Sequence, residues 1–133
     1  MKSLRRFSCD ESGAAMVEFA LVCALFTAML MGFLEAGYST WSRNSVFADA
    51  REGARYAMVH GSTATGHIAS SDSVKAYVRS KTSLDTVRIT TTWPSDNHPG
   101  SRVWVHVEHD VARFGPFIPA HLDSSTSKMM IVF

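Results

Sequence analysis

The chain has 133 residues, enough for one modest domain beyond a membrane segment. Its 13 Lys and Arg against 12 Asp and Glu leave a formal net charge of +1, without the basic excess expected of a nucleic-acid surface. The two cysteines, Cys9 and Cys23, do not make a disulfide framework.

Residues 1–13 set Lys2, Arg5 and Arg6 against Asp10 and Glu11, a net of +1 (3 − 2), and the remainder balances ten cations with ten anions. From Ala14 to Leu34 run twenty-one residues with one charge, Glu18. About 20 apolar residues cross a bilayer as a helix, and a soluble helix would show a polar face, which this run lacks. The cations ahead of it place the N-terminus in the cytoplasm by the positive-inside tendency. A secretory signal would be shorter and would be cut on its far side. Here the run continues into another patterned helix. Glu18 is the anomaly, because a carboxylate this close to lipid is costly and usually has a partner. A cut after Gly13 supplies one: the freed amino group of Ala14 is a cation at pH 7. It would meet Glu18 of a neighbouring copy or of its own helix. The alternative is an uncut signal anchor in which Glu18 sits near the interface. Cys9 falls in the leader and Cys23 in the span, so they do not pair in a cut chain. Cys23 reads as a small buried apolar residue.

Within the span, Ala20, Ala24, Ala28, Gly32 and Ala36 recur every four residues and stack on one side of a helix. Such strips of small side chains let membrane helices approach closely. The bulky Phe19, Val22, Phe26, Met29 and Phe33 lie around the other sides. Tyr38 and Trp41 follow at the depth of the outer interface, with Glu35 just inside them, read as snorkelling to the headgroups.

No proline interrupts Ala36 to Val59, so helix is expected to continue, 46 residues from Ala14, or about 69 Å. Phe47, Ala50, Ala54, Ala57 and Met58 mark its apolar stripe, with Arg51, Glu52 and Arg55 beside it. Gly61 and Gly66 bracket a Ser/Thr-rich loop. Ser70, Ser71 and Asp72 offer N-caps for a short helix to about Thr82, with Val74, Tyr77, Val78 and Lys81 at helical spacing. Val87, Ile89, Thr91 and Trp93 alternate with polar residues as in a half-buried strand. A turn over 94–100 leads to a second strand, Arg102–Val111, with Val103, Val105 and Val107 on one face and Trp104, His106 and Glu108 on the other. Gly115 to Pro119 breaks the pattern, and Lys128–Phe133 reads as a last apolar strand. The expected fold is α+β: a long N-terminal helix, a short helix and a small antiparallel sheet of three or four strands, an arrangement that resembles the pilin-like plan of the family named below. The domain division that follows is a leader over 1–13, a span over 14–35, its continuation over 36–60 and a small α+β domain over 61–133.

The leader, the Gly13 break and Glu18 as the fifth residue after it resemble a type IV prepilin. More closely, the chain resembles the TadE-like minor pilins or pseudopilins of tight-adherence (Tad/Flp) pilus systems. The residues that carry this are Gly13 to Leu21, with Glu18-Phe19 at their centre, Gly32-Phe33-Leu34-Glu35, and Ala50 to Ala57. The C-terminal half shares only the general helix-then-strands plan. The resemblance implies leader removal by a prepilin peptidase at Gly13 and Ala14, and an assembly role for Glu18 and Phe19. It implies other pilins and minor pilins, the inner-membrane assembly platform and membrane lipid as partners. Its setting would be the bacterial inner membrane, single-pass, with the C-terminal domain in the periplasm or carried into a surface pilus. Two alternatives stay open: a secretion-system pseudopilin, and a single-span anchored accessory subunit of an envelope complex that needs no cut.

Chemistry is harder to find. No phosphate-binding glycine loop is present, and no cofactor is called for. His106 and His109, three apart on a strand, point to opposite faces and do not make a metal site. Serines, histidines and aspartates permit a nominal hydrolase triad, but no nucleophile-elbow spacing supports one. Trp93 and Trp104 read as packing anchors of the hairpin. The expected function is non-enzymatic, helping initiate or prime pilus assembly.

Overall fold

With no proline in the way, residues 11–59 form one helix, α1 (Glu11–Val59), of 49 residues in the computed structural model. At 1.5 Å per residue it is about 74 Å long. The structure describes residues 11–111 and 121–132; the basic leader residues, Cys9, the break at 115–119 and Phe133 lie outside them. The expected start at Ala14 moves back by one turn, so Gly13 is already helical.

The second helix, α2 (Ser71–Lys81), begins where the candidate caps suggest. Ser70 takes the N-cap, its hydroxyl accepting from Ser73 N–H while the Ser73 hydroxyl accepts from Ser70 N–H. Val74 and Val78 are buried, whereas Lys81 stays exposed.

The sheet has three antiparallel strands in the order β1 (Val87–Thr92), β2 (Arg102–Val111) and β3 (His121–Met130). Ile89 faces Val107 across the hairpin, and Val103, Val105 and Val107 are fully buried, as alternation requires. The last strand differs from expectation. It starts seven residues earlier than Lys128; the inward side chains of that added part are Asp123, Ser125 and Ser127, polar residues that give no apolar alternation. Ile131, just past its end, is the buried apolar residue of that segment.

α1 packs across β2 and β3, and α2 packs on α1 and β1. The buried face of α1 is Ser42, Val46, Ala50, Gly53, Ala54 and Ala57. Phe47, counted in the expected stripe, is instead 54% exposed; it lies about 100° around the helix from Val46. Gly53 marks the closest approach. A Cβ there would stand 2.7 Å from Val78 Cγ2 and 3.0 Å from Val105 Cγ1, so α1, α2 and β2 meet over a bare backbone. The loop after α1 is tied to the turn between β1 and β2: Ser62 N–H donates to Asn97 O, and the Asn97 amide donates to Ala69 O. Gly66 and Gly100 take positive φ in these two segments, a conformation L residues disfavour.

Two tryptophans divide. Trp93 packs against the core as expected, while Trp104 lies on the outer sheet face with the Lys128 ammonium 4.5 Å from its ring centroid. His106 is on that outer face and His109 on the buried one, and no group of metal-ligating side chains occurs among the described residues.

Candidate assembly site

Apolar side chains point outward in every direction along the first half of α1. Phe19 is 70% exposed and Phe26 64%, and no part of the most apolar stretch is buried in the fold. This is the one helix among the described residues long and apolar enough to cross a membrane. The polar groups inside it are handled locally: the Thr27 hydroxyl donates to Cys23 O at 2.8 Å, leaving no free hydroxyl in the apolar stretch. Cys23 is exposed rather than buried, since no other described part of the chain covers it.

Gly13, Ala14, Glu18 and Phe19 all lie in this exposed segment, as do Ala20, Ala24, Ala28 and Ala36; Gly32 is half-buried. Ala14 and Glu18 stand one turn apart on the same side of α1. An amino group freed at Ala14 would thus begin one turn from the carboxylate. A Cβ added at Gly13 or Gly32 meets nothing within 4 Å. Among the described residues the ridge of small residues therefore has no partner within its own chain, unlike Gly53.

Tyr38 and Trp41 mark the end of this exposed stretch, their ring centroids 5.7 Å apart. Glu35 departs from the snorkelling expectation: at 3% exposure it is buried inside the fold. From there the helix is fastened to β3 by polar contacts between residues 80 or more apart in the chain. Asp123, 4% exposed, accepts from the fully buried Ser42 hydroxyl at 2.8 Å and from Arg43 Nε at 3.3 Å. His121 Nε2 lies 3.3 Å from Asp123 Oδ1 and 3.4 Å from Ser39 Oγ. A Ser-His-Asp relay needs serine and carboxylate on opposite ring nitrogens. Here both face the same one, so the cluster is a clamp between helix and strand. The only advance hint was an aspartate in an otherwise Ser/Thr-rich strand.

The other flank of α1 is held by α2. Tyr56 stacks between His60 and Tyr77, at 4.3 and 4.4 Å between centroids, and the Tyr77 hydroxyl donates to Glu52 at 2.9 Å. That bond to a carboxylate, the largest cause, pushes the phenol pKa up. The Thr82 hydroxyl donates to Asp49.

Residues 13–55 match a family model described as TadE-like protein. No curated protein and no solved structure matches the chain. The matched segment takes in the whole exposed stretch and the start of the buried face through Ala54, and leaves α2 and the sheet outside. Over residues 13–55, the apolar stretch and the first part of the buried face of α1, the chain is similar to the TadE-like family.

Proposed function

We propose that the chain is a minor pilin or pseudopilin that helps initiate or prime assembly of a Tad-type pilus used in surface adhesion. The observation that carries this reading is the single continuous α1. It joins an apolar segment exposed on all sides, with Glu18 as its one charge between Ala14 and Leu34, directly to a domain packed on its far half. The family match over the same helix supports it. On this reading the leader is removed after Gly13 by a prepilin peptidase, which must open the first turn of α1 to reach the bond. The mature subunit sits in the inner membrane with its domain in the periplasm. Its span packs against other pilins through the ridge from Ala20 to Ala36, and it meets the assembly platform on the way to the fibre.

Glu18 provides the test. Paired with the freed Ala14 amino group, it makes a charge-assisted bond of about 1.5–3 kcal/mol, roughly ten- to a hundredfold in an association constant. Glu18→Ala and Glu18→Gln are expected to insert normally and to be cleaved at least in part, yet to fail in assembly. Pili counted at normal numbers from the Gln variant would show that the charge is not used.

A further inference from the structure

The sheet ends in an open edge on the side of α1 that α2 does not cover. Ile131 N–H donates to Ser101 O, and Ile131 O accepts from Gly100 N–H, so the backbone of Ile131 is turned toward the β2 side. Alternation along an antiparallel ladder then turns the backbone groups of Leu122, Ser124, Thr126, Lys128 and Met130 outward. Val132 confirms the phase at the far end, where its N–H donates across to Met58 O. No strand pairs with this edge among the described residues.

Natural edge strands are usually short or guarded by charge, proline or bulges. This one is ten residues long, contains no proline, and turns a single lysine outward among those five residues. Beside it, a cleft of about 570 Å³ separates β3 from α1, lined by Arg43, Asn44, Phe47, Leu122 and Ser124 among others. Phe47 stays 54% exposed there, with the Arg51 guanidinium 5.3 Å from its ring centroid, and the Arg43 side chain is 71% exposed. The one carboxylate in the cleft, Asp123, is buried and already bonded to Ser42 and Arg43. Val46, Phe47 and Leu122 give the cleft an apolar part, Arg43 is paired with Asp123, and the Arg51 guanidinium beside Phe47 leaves this flank of α1 positively charged.

We propose that this edge and the Arg43–Phe47–Arg51 flank of α1 accept an extended, acidic segment of a different polypeptide as a fourth strand. Backbone bonds to the outward groups of β3 would supply affinity, and side chains entering the cleft would supply specificity. A second copy of this chain fits poorly. β3 runs in the same direction as α1, from Ser42 near Asp123 to Met58 near Val132. Two β3 edges pair antiparallel only between copies whose membrane anchors point in opposite directions. Copies side by side in one membrane would instead offer the β1 and α2 edge. Its cleft holds Lys75, Arg79 and Arg88 with Asp110 and Glu108, the last already paired with Arg88. The surface is built by residues 43–51 and 122–130 and is the same whether or not the leader is cut.

The test uses the full chain in phosphatidylcholine nanodiscs and three capped ten-residue peptides. One alternates valine with glutamate, one alternates valine with lysine, and one is the glutamate peptide N-methylated on alternate residues. Residue-resolved hydrogen exchange should slow at least tenfold at the Leu122, Ser124, Thr126 and Lys128 amides with the glutamate peptide alone. Phe47→Ala and Arg51→Gln, both on the exposed flank, should weaken its binding about tenfold each without lowering the melting temperature. Absence of protection, equal protection by the lysine peptide, or protection at other amides would overturn the proposal. Protection of the same amides that rises with protein concentration, without peptide, would assign the edge to a second copy and overturn it too.

Discussion

The two halves of α1 use small residues at similar spacing and meet opposite surroundings. In the far half, Ala50, Gly53, Ala54 and Ala57 are buried where α2 and β2 press against the backbone. In the near half, Ala20, Ala24 and Ala28 repeat at four-residue intervals and are exposed, with no described residue packed on them. Small side chains permit close approach without specifying what approaches. In the far half the chain supplies its own neighbour; in the near half none of the described residues does, and on the proposed function the neighbour is a helix of another pilin. Lipid alone gives a ridge of small residues no role, whereas a close helix–helix contact would use it.

The sharpest contrast is between two glycines. Gly53→Leu would drive a side chain into Val78 and Val105 and is expected to destabilise the domain by about 3 kcal/mol. A Cβ at Gly32 meets nothing within 4 Å, so Gly32→Leu should leave domain stability unchanged. Urea unfolding of the detergent-solubilised chain, followed by tryptophan fluorescence, reads both. Equal losses would mean that the span and domain fold as one packed unit.

The clamp at the boundary between the halves comes next. Asp123→Ala strands the buried Ser42 hydroxyl and should cost about 2 kcal/mol. Arg43→Ala removes an ion pair whose cation is 71% exposed and should cost less than about 1 kcal/mol. A larger loss for Arg43 than for Asp123 would overturn the assignment of the hydroxyl bond as the main fastening.

Much of this architecture was legible in the residues, for reasons that also explain the misses. The run from Ala14 to Leu34, the Ser70 cap and the valine alternation of β2 each follow from a single local rule. β3 was seen only at its apolar end, because its inner face meets the helix through Asp123, Ser125 and Ser127, which carry no periodic apolar signal. Phe47 was placed in the stripe because helical spacing gives a period but not the edges of the buried arc. The burial of Glu35 was hidden for a related reason: position along a span says nothing of what folds back over it. The Asp123 cluster joins residues 80 or more apart, beyond any pattern read along the chain.

The ridge gives a smaller expected effect. Ala24→Leu and Ala28→Leu should each reduce association with pilin partners about tenfold, equivalent to about 1.4 kcal/mol, and Val22→Leu should not. Crosslinking in membranes checks this, and equal behaviour of the three would remove the reason for assigning that face. Smallest is the turn next to the sheet. Asp96 accepts from the Ser101 hydroxyl and from His98 N–H, in that order of effect, and its pKa is lowered. A carboxylate lowered on folding stabilises above its unfolded pKa, about 3.9, and that contribution is lost as the pH falls through the folded value. Between pH 6 and pH 3 the wild type should therefore lose slightly more stability than Asp96→Asn. Parallel pH dependence of the two urea midpoints would contradict it.

The processing event separates the proposed function from a plain anchor more directly than any of these. N-terminal sequencing of the membrane-extracted protein, with Gly13→Leu alongside, measures it. A Cβ at Gly13 touches nothing, so the variant should insert and fold as the wild type does. The account predicts a mature wild-type chain beginning at Ala14, and a Gly13→Leu chain retaining its leader. A wild-type chain that begins at Met1, or after any residue other than Gly13, would contradict it.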